Sequence, residues 1–167
     1  LAGTVQLFSK KGREGHNQDV NISTGSFNTQ KIDFSVDGKY DNYDYFLGFT
    51  NFSTDGESAM RDNNENDRYR SDSLTMNYGY NLNEKFRLEN YFYYNDSLLE
   101  YDSVNKTQDD IEASDDQNAI YTARLINETG NFKNTISYNN TYILRNTTGN
   151  DKKNYYGYRD AINFVTE

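Results

Sequence analysis

Residues 31–40 alternate without a slip. Ile32, Phe34, Val36 and Tyr40 fall on one parity, with Gly38 between them, and Lys31, Asp33, Ser35, Asp37 and Lys39 fall on the other. A two-residue period sends successive side chains to opposite faces of a strand, so this stretch describes a ribbon with one apolar and one polar side. The pattern returns at Tyr43, Tyr45, Leu47 and Phe49, at Leu74, Met76, Tyr78 and Tyr80, and at Phe86, Leu88, Phe92 and Tyr94. Ala119, Tyr121, Ala123 and Leu125 continue it. Phe132, Ile136, Tyr138, Tyr142 and Leu144 add a stretch interrupted by Asn134 and Asn140. Within these segments the charges, among them Asp44, Arg87, Glu89, Arg124 and Lys133, all take the side opposite the apolar one. Helical periodicity is weak, and the chain is predicted to be all-β.

Composition narrows the setting. Only 34% of the 167 residues are hydrophobic and the net charge is -9, a balance that by itself points toward disorder. The 16 Tyr and 10 Phe argue otherwise. There are bulky groups to line a surface but few aliphatic ones to fill an interior. The chain has no cysteine, hence no disulfide framework or thiolate metal site, and no proline to interrupt strand pairing. A pI near 4.6 argues against a nucleic-acid partner, which needs clustered Lys and Arg. No apolar run reaches the length of a membrane helix, about 18 residues. No basic and apolar export signal opens the chain, so if the protein is exported its signal lies upstream. Strand-like sequence at both ends, Leu1-Ala2-Gly3 and Phe164-Val165-Thr166, reads as a fragment.

Alternation fits a sandwich as well as a barrel, and the connections separate the two. Asp41-Asn42, Asn81 to Lys85 and Thr129-Gly130-Asn131 are short. Thr54 to Ser71, Asp96 to Gln117 and Asn146 to Asn154 are long and polar. Short and long connections alternate, as the periplasmic turns and external loops of an outer-membrane barrel do. Strands of such a barrel need about 9–11 residues to cross, which Tyr43 to Ser53 provides. Tyr40, Tyr43 and Tyr45 flank one short turn, Tyr78, Tyr80 and Phe86 the next, and Tyr93 and Tyr94 the far end of their strand, in the manner of interfacial girdles.

Gly3-Thr4-Val5-Gln6-Leu7-Phe8-Ser9-Lys10-Lys11-Gly12 resembles the end of the plug domain of TonB-dependent outer-membrane receptors. A strand from about Gln18 to Gly25, a short connection at Phe27-Asn28-Thr29 and a strand to Tyr40 follow as in that family. Tyr93-Tyr94-Asn95-Asp96 through Tyr101-Asp102, and Arg124 to Glu128 with Thr135-Ile136-Ser137-Tyr138, are similar to the vitamin B12 (cobalamin) receptors within it. The resemblance implies an antiparallel up-and-down transmembrane β-barrel of about 22 strands around a plug. Residues 1–14 would be the end of the plug and residues 15–167 the N-terminal part of the barrel, about eight strands of it. It also implies outer-membrane lipid as surroundings, TonB as an energising partner acting through the plug, and a scarce nutrient such as cobalamin or an iron siderophore as substrate.

The long connections are acidic, with Asp55, Glu57, Asp62, Glu65 and Asp67 in one and Glu100, Asp102, Asp109, Asp110, Glu112, Asp115 and Asp116 in the next. Ca²⁺ takes about six to eight oxygen ligands. The resemblance to the cobalamin receptors marks Asp55, Asp62, Tyr101, Asp102 and Asp110 as candidate ligands. Solvated loop charge is the alternative reading of the same residues. Asp62-Asn63-Asn64-Glu65-Asn66 opens like an EF-hand loop, but Asp67 replaces its glycine and Ser73 its closing glutamate, so an EF-hand is rejected. His16 stands alone and reads as a loop residue. No phosphate loop and no catalytic triad can be assembled, so an enzyme is not expected. The Asn-x-Ser/Thr sequons, such as Asn95 and Asn139, fall partly inside strands and are discounted as glycosylation sites. Asp33, Asp37, Arg87 and Arg124 are expected to point into the lumen, wet or facing the plug. A passive porin, a small outer-membrane barrel and a secreted ligand-binding β-sandwich compete with the transporter reading.

Overall fold

The computed structural model describes residues 9–57, 66–102, 111–149 and 152–167. They form one antiparallel sheet of eight strands whose spatial order is the chain order. The strands are β1 (Gly15–Gly25), β2 (Thr29–Tyr40), β3 (Tyr43–Thr54), β4 (Tyr69–Asn81), β5 (Phe86–Asp102), β6 (Ile111–Thr129), β7 (Phe132–Thr147) and β8 (Asn154–Thr166). No helix occurs among the described residues. The all-β, up-and-down expectation holds. Each strand touches only its sequence neighbours, so β1 and β8 do not meet and the sheet is open.

The register carries the alternation from strand to strand. Residues directly opposite in an antiparallel pair share a face. Val20, Phe34, Phe49, Leu74, Tyr94, Ala119, Tyr142 and Tyr158 therefore form one row across all eight strands. Lys39, Asp44, Gly79, Glu89, Arg124, Ser137 and Asn163 form a row on the opposite face. A slip of one residue in any pair would mix the two sets.

No second layer covers either face among the described residues, and no apolar side chain is buried. The buried side chains are polar: Asp37, Asp44, Asn77, Glu89, Ser114 and Thr122, all on one face. Asp37, Asn77 and Glu89 are shielded in part by residues 9–13, which bond to them on this face. The apolar side is left bare, with Phe34 40%, Phe49 42% and Met76 45% exposed. Tyr, Phe and Leu side chains thus do not meet across two stacked sheets, as a sandwich would require.

Several boundaries differ from the sequence reading. β1 begins at Gly15, not near Gln18, and takes in His16. His16 is therefore a strand residue, with Nδ1 2.6 Å from the Tyr45 hydroxyl. The stretch from Asp96 to Gln117, expected as a loop, is mostly strand, because β5 runs to Asp102 and β6 starts at Ile111. Tyr93 and Tyr94 consequently lie in mid-strand and do not mark a strand end. The physical reason is that neither face is consistently apolar here, with Leu98 and Leu99 on opposite faces among charged and amide residues. Period two vanishes from the sequence, while backbone pairing continues from Asp96↔Gln117 to Asp102↔Ile111. The outer side is not free of charge: Arg70, Asp72, Asp96 and Asp115 share the face of Ile32, and β8 adds another. Asp160 lies opposite Asn140 in the row of Val36, Leu47 and Met76, and accepts hydrogen bonds from the Tyr138 hydroxyl at 2.6 Å and Asn140 Nδ2 at 3.0 Å.

The turns follow local chemistry. Asp41-Asn42 joins β2 to β3, and Tyr40 and Tyr43 stack beside it at 5.1 Å between ring centroids. Gly130 takes φ +63° in the link Gly130-Asn131, a conformation without steric penalty only for glycine. The β1–β2 link is tighter than its composition suggests, with Phe27 and Asn28 both left-handed at φ 55° and 53°.

Candidate functional site

The segment from Ser9 to Glu14 leads into β1 and crosses the polar face. Lys10, Lys11 and Arg13 make it basic in a chain of net charge -9. The polar face beneath it carries Asp37, Asp44 and Glu89, each nearly or wholly buried.

Arg13 is the centre of the attachment. Its backbone N–H donates to Asp37 Oδ2 at 2.7 Å, and its Nη2 donates to Asp37 Oδ1 at 2.7 Å. Nε reaches both carboxylate oxygens at 3.1 and 3.2 Å. Asp37 is left with 0% exposure. A carboxylate in that position requires charge-assisted bonds, and a planar guanidinium supplies them as a fork. Arg13 Nη2 also meets Asp19 on β1 at 2.5 Å. The hydrogen bond to Asp37 holds the guanidinium pKa above its ordinary range against the opposing effect of desolvation.

Neighbouring residues extend the grip to other strands. Lys11 Nζ donates to Glu89 Oε1 on β5 at 2.6 Å. Asn77 on β4 donates to the Ser9 hydroxyl at 3.1 Å and to the Lys10 carbonyl at 3.0 Å. Lys10 Nζ stands 5.3 Å from the Phe46 ring centroid on β3, a cation–π distance. Lys39 on β2 donates to Glu14 Oε1 at 2.7 Å. Gly12 makes the closest approach: a Cβ there would stand 2.0 Å from the Gly38 carbonyl oxygen and 2.8 Å from that of Tyr45. Only a residue without a side chain lets the two backbones come this near.

Beside the segment lies a charge network within the wall. Arg87 donates to Asp44 Oδ2, to Glu89 Oε1 at 3.0 Å and to Asn81 Oδ1 at 3.0 Å. Arg124 Nη1 approaches Glu89 Oε2 at 3.8 Å. Gly79, opposite both Asp44 and Glu89, makes room for Arg87, whose Nη2 would be 1.9 Å from a Cβ at that position. Asp33 is held separately by Lys31 at 2.9 Å and by the Thr50 hydroxyl at 2.8 Å. Of the four residues expected to face the lumen, Asp37 contacts the segment directly. Arg87 and Arg124 contact it through Glu89, and Asp33 does not contact it.

Of the five candidate calcium ligands, Asp55, Tyr101 and Asp102 lie among the described residues. Asp62 and Asp110 lie outside the described residues. Asp55 follows β3, and its backbone N–H donates to the Phe27 carbonyl at 2.9 Å. Tyr101 and Asp102 lie in β5, paired with Glu112 and Ile111. No group of three or more His, Cys, Asp or Glu side chains suited to a metal occurs among the described residues.

Sequence reasoning singled out the Lys10-Lys11-Gly12 stretch by resemblance and Asp37 by its face, but not Arg13, Asn77 or Glu89 as the partner of Lys11. A usable signal was present: three cations in four residues, in a strongly acidic chain whose carboxylates Asp37, Asp44 and Glu89 share one parity class. No known protein family, no curated protein and no solved structure matches this chain.

Proposed function

We propose that the chain is the N-terminal part of the barrel of a TonB-dependent outer-membrane transporter, with the tail of its plug attached. The full-length protein would then import a scarce nutrient of the cobalamin or iron-siderophore kind. The observation that carries this reading is the basic segment Ser9 to Glu14 seated on the polar face by Arg13–Asp37 and Lys11–Glu89. A polar wall that holds a preceding segment of its own chain is what a plugged barrel requires and a wet pore does not. The apolar rows on the other face support hydrocarbon contact. The shortest strand has 11 residues, enough for the ~9–11 needed to cross the bilayer. Stacked Tyr40 and Tyr43, with Tyr45 6.4 Å from Tyr43, sit beside a short turn where an aromatic girdle belongs. The chemistry of this reading is binding and displacement, with no bond made or broken in the substrate by these residues.

The test is uptake by cells that produce the full-length protein. Accumulation of radiolabelled cyanocobalamin or a ferric siderophore against its gradient is expected in cells with TonB and absent in cells without it. Rapid, energy-independent flux of unrelated sugars through the purified protein in liposomes would instead mean a passive pore and would end the proposal.

A further inference from the structure

We infer that residues 9–14 are a fixed part of the barrel wall, so that any displacement of the plug that opens a path takes place upstream of Ser9. The inference deepens the transporter reading and rests on it. Asp37 is fully enclosed, and the Arg13 guanidinium and backbone N–H supply its charged partner. Lifting Arg13 away would strand a carboxylate with its charge uncompensated, one of the costlier changes a fold can undergo. The attachments also reach several strands at once: β2 through Arg13 and Glu14, β3 through Lys10, β4 through Asn77 and β5 through Lys11. A pull along the chain therefore loads them together and does not peel them one by one. Gly12 adds backbone contact so close that the segment cannot slide along β2 without colliding with the Gly38 carbonyl. By this count the covalent boundary of the plug precedes the physical one. Residues up to Glu14 belong to the plug by sequence resemblance, but Ser9 to Glu14 belong to the wall by contact.

Hydrogen exchange of the full-length protein in lipid bilayers at rising urea reads this directly, since regions that open separately lose protection separately. The Arg13 amide and its neighbours in 9–14 are expected to stay as protected as β2 to β5 after the residues upstream have become exchangeable. Arg13→Ala is expected to speed exchange in 9–14 by roughly tenfold or more, with β5 to β7 unchanged. Loss of protection in 9–14 together with the upstream residues overturns the inference, as does unchanged exchange in Arg13→Ala. A second variant works if Arg13→Ala fails to insert. The pair Ser9→Cys and Asn77→Cys, in a stretch with no other cysteine, joined by a short bifunctional thiol reagent across the contact that Asn77 makes with Ser9, is expected to leave upstream exchange at the wild-type rate. Slowed upstream exchange on cross-linking would show that the segment normally moves with the plug. A full-length protein with no protected block upstream removes the transporter reading and the inference together, whereas co-loss of protection removes the inference alone.

Discussion

On the proposed transporter reading, Leu47→Arg is expected to destabilise the protein in bilayers by about 2–4 kcal/mol, the cost of a cation that would face hydrocarbon near mid-depth of a barrel wall. Leu47 lies in the row with Val36, Met76 and Phe92, and it is 37% exposed on a face that nothing among the described residues covers. Thr75→Arg is the matched control. Thr75 is opposite Gly48, one residue along on β3, and so points to the polar side. There an added cation meets water and carboxylates, and a change within about 0.5 kcal/mol is expected. Urea midpoints in defined bilayers measure both. Equal effects of the two substitutions, or a large effect at Thr75 alone, would mean that the outer face is not in lipid.

Arg87→Ala should be almost as damaging, at about 3 kcal/mol, because it leaves Asp44 buried with its charge unpaired. The Asp44 side chain is 9% exposed and that of Glu89 12%, with Arg87 between them. Glu89 retains Lys11 at 2.6 Å, so most of the loss falls on Asp44. The double change Arg87→Met with Asp44→Leu should recover much of it, since replacing a buried ion pair by apolar groups is often close to neutral. The same urea titration checks both variants. A double variant no more stable than Arg87→Ala would mean that stranded charge is not the cause.

The fold was legible wherever one face is apolar and the other polar. From Ile32 to Tyr40 and from Phe86 to Tyr94, parity alone fixed the strand and its facing, and Asp41-Asn42 fixed the turn between β2 and β3. Legibility failed where neither face is consistently apolar. From Asp96 to Asp102 and from Ile111 to Gln117 the backbone still pairs, but nothing in the side-chain order announces it, and polar composition reads as loop. His16 was lost for a related reason, since a lone polar residue before the first apolar one carries no parity signal. The attachment of Ser9 to Glu14 was out of reach for a different reason. Lys11 and Glu89 are 78 residues apart, and their meeting depends on four strands being in register. Asp37 was assigned the correct face from alternation alone, but its burial under Arg13 follows from tertiary packing.

The open margins of the sheet carry one more consequence. β1 and β8 each have a neighbour on one flank only, so a row of amide and carbonyl groups on each is left unsaturated. An open sheet of this kind offers both margins to any strand that can pair with them. Released alone into water, this stretch should add copies of itself margin to margin and grow, with no defined stoichiometry at which it would stop.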